Sequence, residues 1–196
     1  MRPKQQRGEA TAERVLDTAL RLYAAGGEAG VTVAALTRET GISTGSIYHH
    51  FGSLNGVLGA LTHRSLAALF DEIGAALRET TDARAGIDAF VGTYLGFMAA
   101  DPVVGRLLHS TTVDEMGWKH AREMRDAQEA RLTPIMVWIG DRQREGELAQ
   151  MSGALVESLI LGPVIGCTRR WIAVGDIDLA EAMKVLPERI WRSVQP

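Results

Sequence analysis

The sequence predicts an all-α protein of about nine helices, a three-helix helix-turn-helix head followed by a larger helical body. Three observations predict it. Apolar residues recur at helical spacing almost throughout, with no strand alternation of any length and no internal repeat. The stretch TVAALTRETGISTGSIYHHF, residues 32–51, reads as two short helices around a glycine turn. Cap residues and prolines mark helix starts along the remainder. The head is assigned to residues 1–53 and the body to residues 54–196.

The elements follow in order. Arg2, Lys4 and Arg7 stand with Pro3 in a segment without apolar periodicity. It reads either as a disordered basic arm, able to lie along phosphates or in a minor groove, or as a floppy terminus. The first helix is expected from about Ala10 to Ala25, with Val15, Ala19, Leu22 and Tyr23 on one face. Thr32 is a natural N-cap for a second helix over Val33–Thr40, with Val33, Leu36 and Thr40 on one side. Gly41 can stop that helix in a left-handed conformation. Ile42 can plug the gap, and Ser43 caps a third helix from Thr44 to about His50. Ile47, its one strongly apolar residue, should face inward, leaving Thr44, Gly45, Ser46, Tyr48 and His49 outward.

The body continues the pattern. A fourth helix is expected from about Leu54 to Glu79, and Asp82 caps a fifth that carries Ile87, Phe90, Val91, Tyr94, Phe97 and Met98. Asp101 followed by Pro102 starts a short sixth, reaching about His109. Thr112-Val113-Asp114-Glu115 is a capping box that opens a long seventh helix, ending at Glu145 before Gly146. Pro134 should kink or split it. The eighth runs from about Ser152 to Val174. Asp178 with Glu181 opens the ninth, in which Pro187 should cause a bend or a restart.

The outward face of the third helix suits a DNA groove better than a packed core. Small side chains allow close backbone approach, hydroxyls bond bases or phosphates, and Tyr48 and His49 can reach phosphate oxygens. The candidate DNA contacts are Thr32, Arg38, Ser43, Thr44, Gly45, Ser46, Tyr48 and His49. A helical hairpin inside an ordinary α-domain is the bland alternative.

Residues Arg14–Leu58 closely resemble the DNA-binding region of the TetR family of bacterial transcriptional regulators. The resemblance runs through RVLDTALRLYAAGGEAGVTV and TGISTGSIYHHFGSLNGVL, about a quarter of the chain. The family pattern ends in G-[IV]-S-x-G-x-[IL]-Y-x-H-F, and Ala19, Tyr23, Gly26, Thr32, Gly41, Ser43, Gly45, Ile47, Tyr48, His50 and Phe51 match it. Two positions depart. Leu54 stands where the family has a phosphate-touching Lys, which puts that contact in doubt. Thr37 stands where a small residue, commonly Ala, is usual, so its hydroxyl needs a partner such as a carbonyl one turn back.

Composition bounds the rest. Hydrophobic content of 46% supports a real core, and the net charge of -3 leaves DNA binding to a local patch. The single cysteine, Cys167, forbids an internal disulfide and fits a reducing compartment. The N-terminus lacks the apolar core of a signal peptide, and the most apolar stretch, Ala154–Cys167, is too short and too broken to span a bilayer. A cytoplasmic location without membrane contact is expected.

Two regions of the body carry binding expectations. The eighth and ninth helices hold more apolar surface than one subunit covers, with Leu155, Leu159, Gly162, Gly166, Met183 and Ile190 as candidate dimer contacts. The resemblance implies dimerisation through these last two helices. Tyr94, Phe97, Met98, His109, Met116, Trp118, Arg122 and Trp138, with Met136, form an aromatic and thioether-rich set. They are candidates for a small apolar or aromatic ligand, although such residues also fill cores. The expected function is a ligand-responsive regulator, a repressor that a small organic effector releases from a palindromic operator in double-stranded DNA. No metal site or cofactor is implied and no catalytic residue is assigned. The alternatives are a protein-binding adaptor of the same fold, hinted at by Leu54, and a small α-helical enzyme. For the enzyme, His109, Asp114, Glu115 and His120 are the one suggestive cluster, with no recognisable spacing.

Overall fold

The computed structural model describes the backbone of residues 3–110 and 121–196, with side chains from Gly8 onward except those of residues 121–125 and 127. Nine helices and no strand are found among these described residues. The capping box at Thr112–Glu115, together with Met116, Trp118 and His120, lies outside them, as do the side chains of Arg2, Lys4, Arg7 and Arg122.

The chain divides into two compact units, Met1–Ser65 and Leu66–Pro196. In the first unit, α1 (Pro3–Gly30), α2 (Val33–Thr40) and α3 (Thr44–Phe51) pack on one another. The basic N-terminal segment is not an extended arm, because the helical backbone begins at Pro3. Proline suits the first helical turn, and the Gln, Arg, Glu and Ala residues that follow favour helix. A break follows Ala25, where Gly26 and Gly27 leave helical geometry and Gly27 takes a φ of 61°. Val15, Ala19, Tyr23, Val31, Leu36 and Ile47 form the core of this unit. Val57, Leu58 and Leu61, from the start of α4 (Leu54–Arg78), are buried as well. The Arg64 guanidinium donates to Glu13 and Asp17, 2.8 Å from each, and ties α4 to α1. Burial opposes the Arg64 charge, but the hydrogen bonds to both carboxylates outweigh it and its pKa is raised.

The second unit holds the rest of α4 with α5 (Ala83–Ala100), α6 (Pro102–Leu108), α7 (Ala121–Arg144), α8 (Gly153–Ala173) and α9 (Leu179–Val194). The predicted caps are in place. Asp82 Oδ1 accepts from the Ala85 amide at 2.8 Å, Asp101 Oδ1 from Val103 and Val104 at 3.0 and 3.1 Å, and Asp178 Oδ1 from Ala180 at 2.8 Å. α5 packs against α6, α8 and α9, while α8 also meets α6, α7 and α9. The loop after α7 is fixed by side chains. Gln143 donates to the carbonyls of Ala149 and Met151, and Glu147 Oε2 accepts from the Ala83 amide at 2.6 Å.

Two proline expectations fail. α7 runs through Pro134 without splitting, and α9 runs through Pro187 without a restart. Pro134 and Ala130 are both exposed, so water can bond the carbonyl that the proline leaves free. Pro187 is buried on the inward stripe of α9 with Leu179, Ile190 and Val194, and packing there holds the helix together.

Candidate nucleic-acid interface and body cavity

The turn between α2 and α3 is built by hydroxyls. Thr32 Oγ1 accepts from the Ala35 amide at 3.1 Å, and Ser43 Oγ from the Ser46 amide at 3.2 Å. Gly41 takes a φ of 69°, the left-handed conformation that ends α2. Thr40 Oγ1 donates to the Leu36 carbonyl at 2.6 Å and accepts from the Ile42 amide at 3.1 Å, which locks the turn from inside. Ile47 is 0% exposed and anchors α3 to the core. The α3 face opposite it is thereby fixed toward solvent.

Thr44, Gly45, Tyr48 and His49 are exposed on that face, and Ser46 is half-buried. Thr32, Arg38 and Ser43 are exposed beside it, with the Arg38 guanidinium 3.7 Å from Glu39. An exposed pair at that distance holds Arg38 only weakly. Thr37 does not back-bond to a carbonyl as expected. Its hydroxyl lies 3.5 Å from that of Thr44, across the turn. Leu54 begins α4 half-buried. An apolar side chain cannot bond a phosphate, so the family's usual cation is missing at this point. Arg14 was missed by sequence reasoning. It projects from α1 to the turn, with Nη2 3.9 Å from where a Gly41 side chain would begin. Only the packing of α1 on α2 brings them together, and no local motif signals it.

The second unit contains an apolar cavity of about 530 Å³, its opening to solvent included. It is lined by Phe70 and Leu77 of α4, Gly86, Ile87 and Phe90 of α5, Leu132, Ile135, Met136, Trp138 and Ile139 of α7, and Glu157, Ile160 and Leu161 of α8. Of the described ligand candidates, Trp138 lines it, together with Met136. The others lie elsewhere. Met98 is fully buried in the core, Phe97 is half-buried, and Tyr94 pairs with His109, its hydroxyl 3.1 Å from Nε2. Burial raises the Tyr94 pKa well above the usual tyrosine value, against a smaller opposing effect of Arg169. Sequence reasoning missed Phe70, Ile135, Glu157 and Ile160 as lining. They stand at ordinary core spacing, and nothing local distinguishes a wall from a filled interior.

On α8 and α9, Leu155 is 49% and Val185 45% exposed, Gly162 and Gly166 are exposed, and Leu159 and Met183 are half-buried. Ile190 is 1% exposed within its own unit, so it is unavailable to a partner. Its position on α9 places it on the buried stripe, one turn before Val194. Among the described residues, no group of three or more His, Cys, Asp or Glu side chains could hold a metal ion. No single described helix is long and apolar enough to cross a membrane.

Residues 15–61 match the model of the bacterial regulatory proteins of the tetR family. The HTH-type transcriptional regulator BetI of Burkholderia lata is 28% identical over 209 aligned positions, covering 96% of either chain. The nucleoid occlusion factor SlmA of a Marinomonas species is 26% identical, covering 83% of this chain and 80% of SlmA. The fatty acid degradation regulator FadR of Bacillus halodurans has the same fold, with a TM-score of 0.75 at 19% identity over 92% of this chain and 94% of FadR. Together with the capped, outward-facing α3, these likenesses establish that the chain is a transcriptional regulator belonging to the TetR family.

Proposed function

We propose that the chain is a ligand-responsive repressor that binds a palindromic operator as a homodimer. One observation carries the reading: α3 presents Thr44, Gly45, Tyr48 and His49 to solvent while Ile47 anchors it from behind. Thr44 and Gly45 would approach base edges, and Tyr48, His49, Arg38 and Arg14 would hold phosphates. Two copies of α3 held about 34–36 Å apart would read half-sites one helical turn apart.

The outward apolar residues of α8 and α9, Leu155, Leu159, Met183 and Val185, support pairing with a second copy. Gly162 and Gly166 would let the two backbones approach closely. The body cavity would take a small apolar effector, consistent with relatives that respond to small molecules. α4 is the natural transmitter, because it lines the cavity with Phe70 and Leu77 and supplies Val57, Leu58 and Leu61 to the head core. A coupling of roughly 1–3 kcal/mol, about a 5- to 150-fold loss of operator affinity, is enough for release.

Selection of bound duplexes from a random pool tests this reading. The predicted product is a two-fold symmetric sequence bound by two protomers. Recovery of no enriched sequence, or of an asymmetric site bound by one protomer, would overturn it.

A further inference from the structure

The body cavity contains a buried donor without an acceptor. Its walls are otherwise aliphatic and aromatic, and no lysine, arginine or histidine lines it. Trp138 Nε1 is buried and has no hydrogen-bond partner among the described residues. The indole lies flat against α5 because Gly86 has no side chain. Its Cε2 atom sits 2.9 Å from the position a Gly86 Cβ would occupy, and Gly86 itself lines the cavity. The unpaired N–H is bonded to that Cε2 atom, on the indole edge that borders the cavity.

We infer that the cavity binds a neutral, largely apolar molecule carrying one hydrogen-bond acceptor, a carbonyl or ether oxygen, which accepts from Trp138 Nε1. This rests on the reading of the cavity as the effector site. The physical case has three parts. A buried donor left unpaired is costly, so a ligand oxygen that satisfies it gains more than the same bond would on the surface. An anion would lose its hydration with no cation in the walls to replace it, and it would face the Glu157 carboxylate. A cation would meet an N–H donor rather than an acceptor at Trp138. Phe70, Phe90 and Ile160 supply the apolar contact that a ring or short chain requires.

Four probes of one size separate these cases: acetophenone, ethylbenzene, benzoate and benzylamine. Calorimetric titration of the full chain should rank acetophenone first. Trp138→Phe keeps a flat ring but removes the donor, and should weaken acetophenone about tenfold while affecting ethylbenzene much less. A second readout needs no variant: the Trp138 indole N–H proton resonance should move downfield with acetophenone and far less with ethylbenzene. Tighter binding of benzoate or benzylamine, or equal binding of acetophenone and ethylbenzene, overturns the ligand class. Release of the pool-selected duplex is scored separately by anisotropy. Acetophenone that binds through Trp138 without releasing DNA overturns the effector reading and leaves the ligand class standing.

Discussion

The Thr37 hydroxyl lies 3.5 Å from the Thr44 hydroxyl, joining the last turn of α2 to the first turn of α3. Thr44 is exposed at the start of the face proposed to read DNA, so this contact orients a candidate reading side chain from behind. The contact is long and solvent-exposed, and contributes about 1 kcal/mol or less. Thr37→Val keeps the shape and removes the hydroxyl. The variant should melt within a few degrees of the parent but select a broader set of bases at the position opposite Thr44. Site selection by sequencing checks this, and an unchanged base preference would show that Thr44 needs no such support.

Ile47 is the anchor of α3. It is 0% exposed, and Ile47→Ala should cost about 2–5 kcal/mol, the usual range for truncating a buried aliphatic side chain. Thermal melting followed by circular dichroism measures the loss. Ser43→Ala should cost about 1 kcal/mol through the lost cap. A near-neutral Ile47→Ala would mean that α3 is held by something other than its apolar contact with the core.

Tyr48→Ala and Thr44→Ala should separate affinity from specificity. Loss of a phosphate contact at Tyr48 weakens binding to all duplexes, by about 1 kcal/mol for a neutral hydroxyl. Loss of a base contact at Thr44 changes preference at one position, with discrimination falling by about 1 kcal/mol or more. Anisotropy titrations on the selected duplex and on single-base variants of it distinguish the two. Identical profiles for the two mutants would place the reading helix wrongly.

Gly86 is the cavity's structural weak point. A Cβ there would overlap the Trp138 ring, so Gly86→Ala must displace the indole. Overpacking of this kind typically costs about 1–3 kcal/mol. Tryptophan fluorescence should shift as the ring moves, and the melting temperature should fall. Retention of both the parent spectrum and stability would contradict the observed contact.

Tyr94 gives a pH signature. Burial raises its pKa above the ordinary 10.0, so the folded state resists losing the phenolic proton while the unfolded chain does not. Its contribution is therefore complete below the unfolded value of about 10 and declines as pH rises through the folded value. The parent should lose stability more steeply than Tyr94→Phe between neutral pH and the alkaline limit. Parallel stability curves would show that the tyrosine titrates alike in both states.

What could be read from the sequence follows from how local the signal is. The caps at Thr32, Ser43, Asp82, Asp101 and Asp178 act within three residues and were all legible. Ile47 was legible because one apolar residue in a polar helix has one direction to face. Pro134 and Pro187 misled, because water and packing keep α7 and α9 continuous, and neither is visible in the local sequence. The cavity was largely illegible for a related reason. Its lining comes from four helices, and its Ile, Leu and Phe residues repeat at the same spacing as a filled core. Trp138 was found for its chemistry, while Tyr94 and Met98 share that chemistry and lie elsewhere. Ile190 was misjudged because a long apolar stripe does not reveal which part of it the chain's own helices cover.

The most direct measurement of the central claim is fluorescence anisotropy with the pool-selected duplex across a salt series. The proposed interface predicts saturation at two protomers per duplex, with affinity falling steeply as salt rises because phosphate contacts release counterions. An equal affinity for scrambled and selected duplexes, or no binding at low salt, would contradict the assignment of α3 as the element that reads DNA.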